Sequence, residues 1–170
     1  MIIRKAIERD LKACAEIFWI ESSKPPYNKK RTFERALKII KEDFRGNDIY
    51  VSIADSKVIG FVMVQKDTGI KNQLWIYEIW ISKEYQGRGV GGKLMEEIEN
   101  IYKQKGIKIF ELVANTRNGG AAGFYRKLGY NKDGSMIFME KRVRRKPLSK
   151  SNPIMYKSFK YINLTNVYRR

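Results

Sequence analysis

The sequence predicts a mixed α/β fold, ordered β-α-α-β-β-β-α-β-α-β-β. Three observations carry this. Apolar residues recur at helical spacing in four separate stretches, and short apolar runs of strand type lie between them. The middle of the chain reads as antiparallel hairpins, and one βαβ-like crossover follows Ser82. A chain of 170 residues that is 43% hydrophobic and 12% aromatic is one domain's worth and can fill a core.

The elements follow in order. Ile2–Ala6 is a short strand. Asp10–Ser22 is a helix, with Leu11, Cys14, Ala15, Phe18 and Trp19 on one face. Two prolines break the period in the loop Ser22–Lys30. Thr32 caps a second helix that runs to about Phe44, with Phe33, Leu37 and Ile40 inward. Ile49–Ala54 and Lys57–Gln65 are strands joined at Asp55-Ser56, and the second is apolar enough for burial on both faces. Lys66–Asn72 reads as a hairpin turn around Gly69, and Gln73–Ser82 as a long strand. After the glycine-rich turn Gln86–Gly92, Leu94, Ile98, Ile101 and Tyr102 mark a third helix that ends near Gly106. Ile107–Ala114 is a strand. Ala121, Phe124, Tyr125 and Leu128 define a fourth helix that stops at Gly129. Tyr130–Lys132 and Ser135–Val143 form a closing hairpin.

Composition excludes several chemistries. The chain has no histidine and one cysteine, Cys14, so a Ser-His-Asp triad, a Cys-His pair, a histidine-ligated zinc and an internal disulfide are all ruled out. Any general base must be a carboxylate, a lysine, a tyrosine or water. Neither a membrane-length apolar run nor a signal-peptide pattern is present, so a soluble, cytoplasmic protein without membrane attachment is expected. The formal net charge is +17, and residues 141–170 contribute +10 of it with no acid. Such a tail favours polyanions.

The sharpest signal is Tyr85-Gln-Gly-Arg-Gly-Val-Gly-Gly-Lys-Leu94, set between a strand and a helix. Glycines let backbone amides approach a ligand, and the helix start adds partial positive charge, which suits a phosphate. Three patterns overlap. Gly87–Lys93 fits G-x-x-x-x-G-K, but Leu94 stands where a Walker A loop needs Ser or Thr for Mg²⁺. Gly87, Gly89 and Gly92 fit G-x-G-x-x-G, with Glu111 about 20 residues on, yet that motif usually opens its fold, and here several strands precede it. The third pattern is Gln86-x-x-Gly89-x-Gly91. With Ile79-Trp-Ile-Ser-Lys-Glu-Tyr before it, and Asn118 and Phe124-Tyr-Arg-Lys-Leu-Gly-Tyr130 after it, the string resembles the coenzyme A loop and flanking elements of the GNAT N-acetyltransferase superfamily. The opening Ile3-Arg4-Lys5-Ala6 followed by Asp10-Leu11 is also similar to that family. The resemblance covers residues 2–143.

The resemblance implies a central mixed, mostly antiparallel sheet flanked by about four helices, over a domain of residues 1–143, with 144–170 as a basic, aromatic-containing extension. It implies an acyltransferase that moves acetyl directly from acetyl-CoA to a primary amine, without a covalent enzyme intermediate and without a metal. By position, the backbone of Ile79, Trp80 and Ile81 would pair with the pantetheine arm. Gln86, Gly87, Arg88, Gly89, Val90, Gly91 and Gly92 would surround the pyrophosphate, with Lys93 near it. Asn118 would meet the pantetheine arm, although a helix N-cap is its structural alternative. Tyr125 would protonate the leaving thiolate, unless it is only a core tyrosine.

For the base, Glu78 is the candidate. It is a carboxylate in a mostly apolar strand, Leu74–Ile81, and partial burial would raise its proton affinity toward neutrality. An edge carboxylate or a structural ion pair is the alternative. Ribosomal-type N-terminal acetyltransferases often carry a glutamate at the position that is Val113 here. Glu111 shares that face by strand parity, so Glu111 or a water also stands open as the base. Tyr77 and Glu21 are weaker candidates. The glycines of Asn118-Gly-Gly-Ala-Ala-Gly123 weaken a helix that begins there. Cys14 reads as core.

Lys24, Lys29, Lys30 and Arg31 put a cationic rim on the loop where the family shapes its acceptor site. That rim favours a protein lysine or N-terminal amine in an acidic context over a polyamine; a small-molecule amine remains the other substrate class. The tail has two readings: a grip on nucleic acid through Lys141–Lys146 and nearby aromatics, or aromatic cover for the sheet or for a homodimer mate. Against the enzyme stands a scaffold that binds coenzyme A or nucleic acid without turnover. The presence of both Tyr125 and Glu78 favours the enzyme.

Overall fold

The structure is a computed structural model that describes residues 1–65, 71–115 and 118–132. Met1–Gly129 form one compact unit and Tyr130–Arg170 a second. The expected turn around Gly69, the closing hairpin beyond residue 132, the boundary at 143 and the basic tail lie outside the described residues.

The elements are β1 (Ile2–Lys5), α1 (Leu11–Ser23), α2 (Phe33–Gly46), β2 (Asp48–Ala54), β3 (Lys57–Gln65), β4 (Gln73–Ile81), α3 (Val90–Gln104), β5 (Ile109–Leu112) and α4 (Ala121–Lys127). Short 3-10 turns at Glu8–Asp10 and Lys83–Tyr85 precede α1 and α3. The five strands form one sheet in sequence order. β1 to β4 are antiparallel, and β5 runs parallel to β4. The mixed, mostly antiparallel sheet expected from the sequence is therefore present.

Local chemistry sets the element ends. Arg4 forks onto Asp10 at 2.7 and 2.9 Å, and the Ile7 amide donates to the same carboxylate at 2.8 Å, which fixes how β1 turns into α1. The bonded Arg4 guanidinium holds the Asp10 carboxyl below its ordinary range. The Thr32 hydroxyl accepts from the Arg35 amide at 3.3 Å and caps α2 as predicted. Asp55 and Ser56 both adopt left-handed φ values, +49° and +61°, which fits a two-residue primed hairpin turn between β2 and β3.

Ile59–Val64 of β3 are all buried, because helices cover both faces of the sheet. Leu11, Cys14, Ala15 and Phe18 of α1 and Ala36 and Ile40 of α2 pack with Val51, Phe61, Met63 and Trp80. Leu94, Met95, Ile98 and Tyr102 of α3 are buried against β2–β4. Each fully buried side chain of this size contributes about 1.5–3 kcal/mol. Cys14 is a core residue, with burial pushing its thiol up to about 12. Among the described residues, no helix is long and apolar enough to cross a membrane.

Three elements differ from expectation. β5 is shorter than 107–114, because its ladder with β4 ends at Ile76↔Leu112. That end coincides with a bulge in β4, where Tyr77 is the extra residue between Ile76↔Val64 and Glu78↔Met63. A bulge bends its strand, and the two parallel strands part there. α1 starts after a 3-10 turn rather than at Asp10. α4 starts at Ala121, so Gly119 and Gly120 precede the helix and only Gly123 lies inside it.

Candidate active site

β4 ends at Ile81, and the glycine turn carries the chain into α3. Gly87 and Gly89 have φ of +74° and +77°, and Gly89 is the N-cap of α3. A Cβ at either would meet nothing within 4 Å, so backbone conformation and not crowding requires glycine. The first-turn amides of a helix have no intrahelical acceptors, and here they carry the partial positive charge of a 15-residue helix. The turn is therefore an anion cradle made of backbone.

Its flanks are fixed by side chains. Gln86 Nε2 donates to the Ile81 carbonyl at 2.8 Å and to Glu21 Oε2 at 3.0 Å, which ties the turn to the end of β4 and to α1. Arg88 is exposed, with its guanidinium 5.9 Å from the Tyr85 ring centroid. Val90 is buried. At Gly91 a Cβ would lie 3.3 Å from Phe124 Cζ and 3.7 Å from Ile81 Cγ1, so β4, α3 and α4 meet there. Gly92 adjoins Leu128 in the same way, at 4.0 Å.

Below the turn, Ile79, Trp80 and Ile81 pair with Val62, Phe61 and Gly60 of β3. Beyond Ile76, no strand flanks the other edge of β4 among the described residues. An extended ligand with amide groups could hydrogen-bond along that edge as an added strand.

The bulge sets Tyr77 and Glu78 together opposite Met63. Glu78 is half-buried, and Trp80 Nε1 donates to its Oε2 at 2.5 Å. Burial pushes its carboxyl up to about 7, with a smaller contribution from Asp43; the Trp80 bond, Arg31 and Lys29 act in the opposite direction. The Tyr77 hydroxyl accepts from Asn47 Nδ2 at 3.1 Å. Burial pushes Asp43 up to about 6 and the Tyr77 phenol upward as well.

Tyr125 and Asn118 reach this cluster from the α4 side. Burial pushes the Tyr125 phenol up to about 12, helped by the charges of Tyr27 and Glu78. It keeps its proton throughout the neutral range. Asn118 does not cap α4. Gly120 holds the N-cap, and the Asn118 side chain instead donates to the Tyr27 hydroxyl at 3.1 Å. Tyr27 in turn packs on Trp80, with ring centroids 5.0 Å apart.

Tyr27 and Asp43 are the residues that sequence reasoning missed. Tyr27 sits in the loop already credited with shaping the acceptor site, so its position was a signal. Asp43 offered none, because its burial is set by packing and not by its neighbours in the chain. The weaker base candidates are engaged elsewhere: Glu111 accepts from Gln73, and Glu21 accepts from Gln86 and from Lys24 Nζ at 2.6 Å. Among the described residues, no grouping of three or more Cys, Asp or Glu side chains could hold a metal ion.

Among the described residues, a β-bulged strand with one unpaired edge that ends in a glycine cradle at a helix start is an arrangement suited to an extended, phosphate-bearing ligand. The sequence profile of the acetyltransferase (GNAT) family matches residues 11–130, and the chain belongs to that family. A spermidine N(1)-acetyltransferase of Thermoplasma acidophilum is 33% identical over 94 residues, 54% of this chain and 56% of that protein. An uncharacterized N-acetyltransferase of Methanocaldococcus jannaschii is 30% identical over 131 residues, 76% of this chain and 78% of that protein. The chain thus spans about half the length of the first of these relatives. The crystal structure of a possible acetyltransferase from Clostridium difficile superimposes with a TM-score of 0.71 at 22% identity, covering 84% of this chain and 98% of that one.

Proposed function

We propose that the protein is an acetyl-CoA-dependent N-acetyltransferase acting on a primary amine, with Glu78 as general base and Tyr125 as general acid. The observation that carries this is Glu78, half-buried, clamped by Trp80 at 2.5 Å, and one residue before the stretch Ile79–Ile81 that pairs only with β3 among the described residues. The residues fit the co-substrate. The Gly87–Gly92 turn would hold the pyrophosphate, with Arg88 and Lys93 beside it. The edge of Ile79–Ile81 and the Asn118 amide would meet the pantetheine arm. When bound, acetyl-CoA supplies a thioester carbonyl carbon.

The protein's own groups supply the proton handling. An amine arrives mostly protonated at neutral pH, and the Glu78 carboxylate, with its midpoint near 7, is matched to take that proton. Tyr125 Oη holds a proton for the leaving sulfur, and its transfer must accompany bond breaking because a phenol is a weaker acid than a thiol.

For the acceptor, an amine in an acidic context is favoured. Lys30, Arg31, Thr32 and Arg35 line an open cavity of about 570 Å³ at the start of α2, and a cationic lining repels a polycation. A polyamine is the second reading, favoured by the spermidine acetyltransferase among the relatives. Thermal stability measured with coenzyme A, acetyl-CoA, ATP and NAD tests the co-substrate. A ligand at 100 times its Kd adds about 2.7 kcal/mol. Stabilisation by the two coenzyme A forms alone is expected; stabilisation by ATP or NAD instead would sink the assignment. Turnover of an acidic-peptide amine against spermidine then separates the two acceptor classes.

A further inference from the structure

We propose that Glu21 is a positioning residue for coenzyme binding, acting through the Gln86 side chain to set the Gly87–Gly92 turn. This rests on that turn being the pyrophosphate site of the coenzyme.

Gln86 stands between the end of β4 and the first glycine of the turn. Its Nε2 carries two protons, and both are used. One goes to the Ile81 carbonyl at 2.8 Å and the other to Glu21 Oε2 at 3.0 Å. Two oxygen acceptors facing one atom require the nitrogen there, so the partners fix the orientation of the amide. No Nε2 proton is left for a phosphate. Gln86 is therefore a strut for the turn and not a donor to the anion. The turn needs one. Gly87 and Gly89 sit at positive φ, and a Cβ at either would touch nothing within 4 Å, so neighbouring side chains do not wedge them in place. The direction of the first α3 amides then depends on what holds Gln86.

Glu21 lies on the last turn of α1, and its side chain is only 10% exposed. Its two oxygens are divided: Oε2 accepts from Gln86, and Oε1 accepts from Lys24 Nζ at 2.6 Å. A carboxylate this covered needs a partner, and the Lys24 ammonium supplies it. Lys24 also roots the loop between α1 and α2. Its carbonyl accepts from the Tyr27 and Asn28 amides, both at 3.0 Å, and the Ser22 carbonyl accepts from the Lys29 amide at 2.9 Å. The loop that carries Tyr27 and the turn that cradles an anion thus share one carboxylate.

The test is a double-mutant cycle on the Kd of coenzyme A, measured by calorimetric titration of the full chain. Glu21→Ala and Gln86→Ala should each raise Kd at least about tenfold, the scale of one charge-assisted hydrogen bond. The double variant should be no weaker than Gln86→Ala alone, because both changes remove the same strut. Glu21→Gln keeps an oxygen for the Gln86 amide and should recover most of the affinity. If Glu21→Ala does not fold, Glu21→Met, of similar length and without an oxygen, takes its place. Nitrogen-15 NMR of the ligand-free chain gives a second readout. Glu21→Ala should move the Gln86 side-chain amide resonances and the backbone amides of Gly87–Gly92. Additive losses in the cycle, no recovery in Glu21→Gln, or an unchanged Kd in Glu21→Ala would overturn the proposal. If the wild type does not bind coenzyme A while those resonances still move, the coenzyme assignment fails and the strut stands; if they do not move either, both fail.

Discussion

The side-chain amide of Asn118 donates to the hydroxyl of Tyr27 at 3.1 Å, joining a loop near the start of the chain to the approach of α4, 91 residues later. Because Tyr27 also packs at a tilt on Trp80, and Trp80 holds Glu78, one path of contacts runs from the α4 side of the site to the carboxylate. Asn118 thereby keeps one amide proton on protein, leaving its other proton and its carbonyl for a ligand.

Tyr27→Phe removes one hydrogen-bond partner and keeps the ring on Trp80. Loss of a single neutral hydrogen bond is worth about 1 kcal/mol, so Kd for acetyl-CoA should rise about fivefold. Calorimetric titration of both proteins measures it. An unchanged Kd would mean that Asn118 is not oriented through Tyr27.

Glu78 also predicts a pH dependence of stability. Its folded midpoint is raised to about 7 from 4.5, so the folded chain binds its proton more tightly than the unfolded chain. The stability it contributes is fully present below about pH 4.5 and is lost as pH rises through about 7. Glu78→Gln, which cannot ionise, should match the wild type near pH 4 and exceed it at pH 8 by about 2 kcal/mol, after discounting for partial exposure. Chemical denaturation at the two pH values gives the comparison; a variant less stable at pH 8 would contradict the burial account.

Gly89→Ala places a Cβ at φ +77°, where L-residues are disfavoured by about 1–2 kcal/mol. Denaturant midpoints should fall accordingly, and coenzyme A affinity should fall with them because the first amides of α3 are re-aimed. Gly46→Ala, at the end of α2 with open space around it, is the control and should leave affinity unchanged. Loss of affinity in both, or in neither, would remove the turn from the binding account.

Tyr125→Phe deletes the proton held for the leaving sulfur while keeping the ring against Phe124, whose centroid lies 5.0 Å away. General-acid catalysis contributes about 10²–10⁴-fold, so kcat should fall by at least about 10², with Kd for coenzyme A unchanged. A variant with normal kcat would reduce Tyr125 to a core residue.

Much of this was legible in the sequence, for identifiable reasons. The Asp55-Ser56 turn, the Thr32 cap and the Gly87 and Gly89 positions are local, and each is decided by the conformations that a few residues can adopt. Glu78 stood out because a carboxylate in an apolar strand must be explained. The bulge at Tyr77 was not legible, since register is set by the neighbouring strand and not by β4 itself. The same holds for the Tyr27 bond to Asn118, which joins elements far apart in the chain. Asn118 looked like a helix cap because its residue type is a good one, but the helix begins three residues later and its amide is used across the site.

The central claim is direct acetyl transfer to an amine with Glu78 as base. Its most direct test is the release of free thiol from acetyl-CoA at pH 8, with an acidic peptide bearing a free N-terminus, a lysine peptide or spermidine as acceptor, for the wild type and for Glu78→Gln. The account predicts amine-dependent thiol release that falls at least about 10²-fold in the variant. No amine-dependent release with any acceptor, or release undiminished in Glu78→Gln, would contradict it.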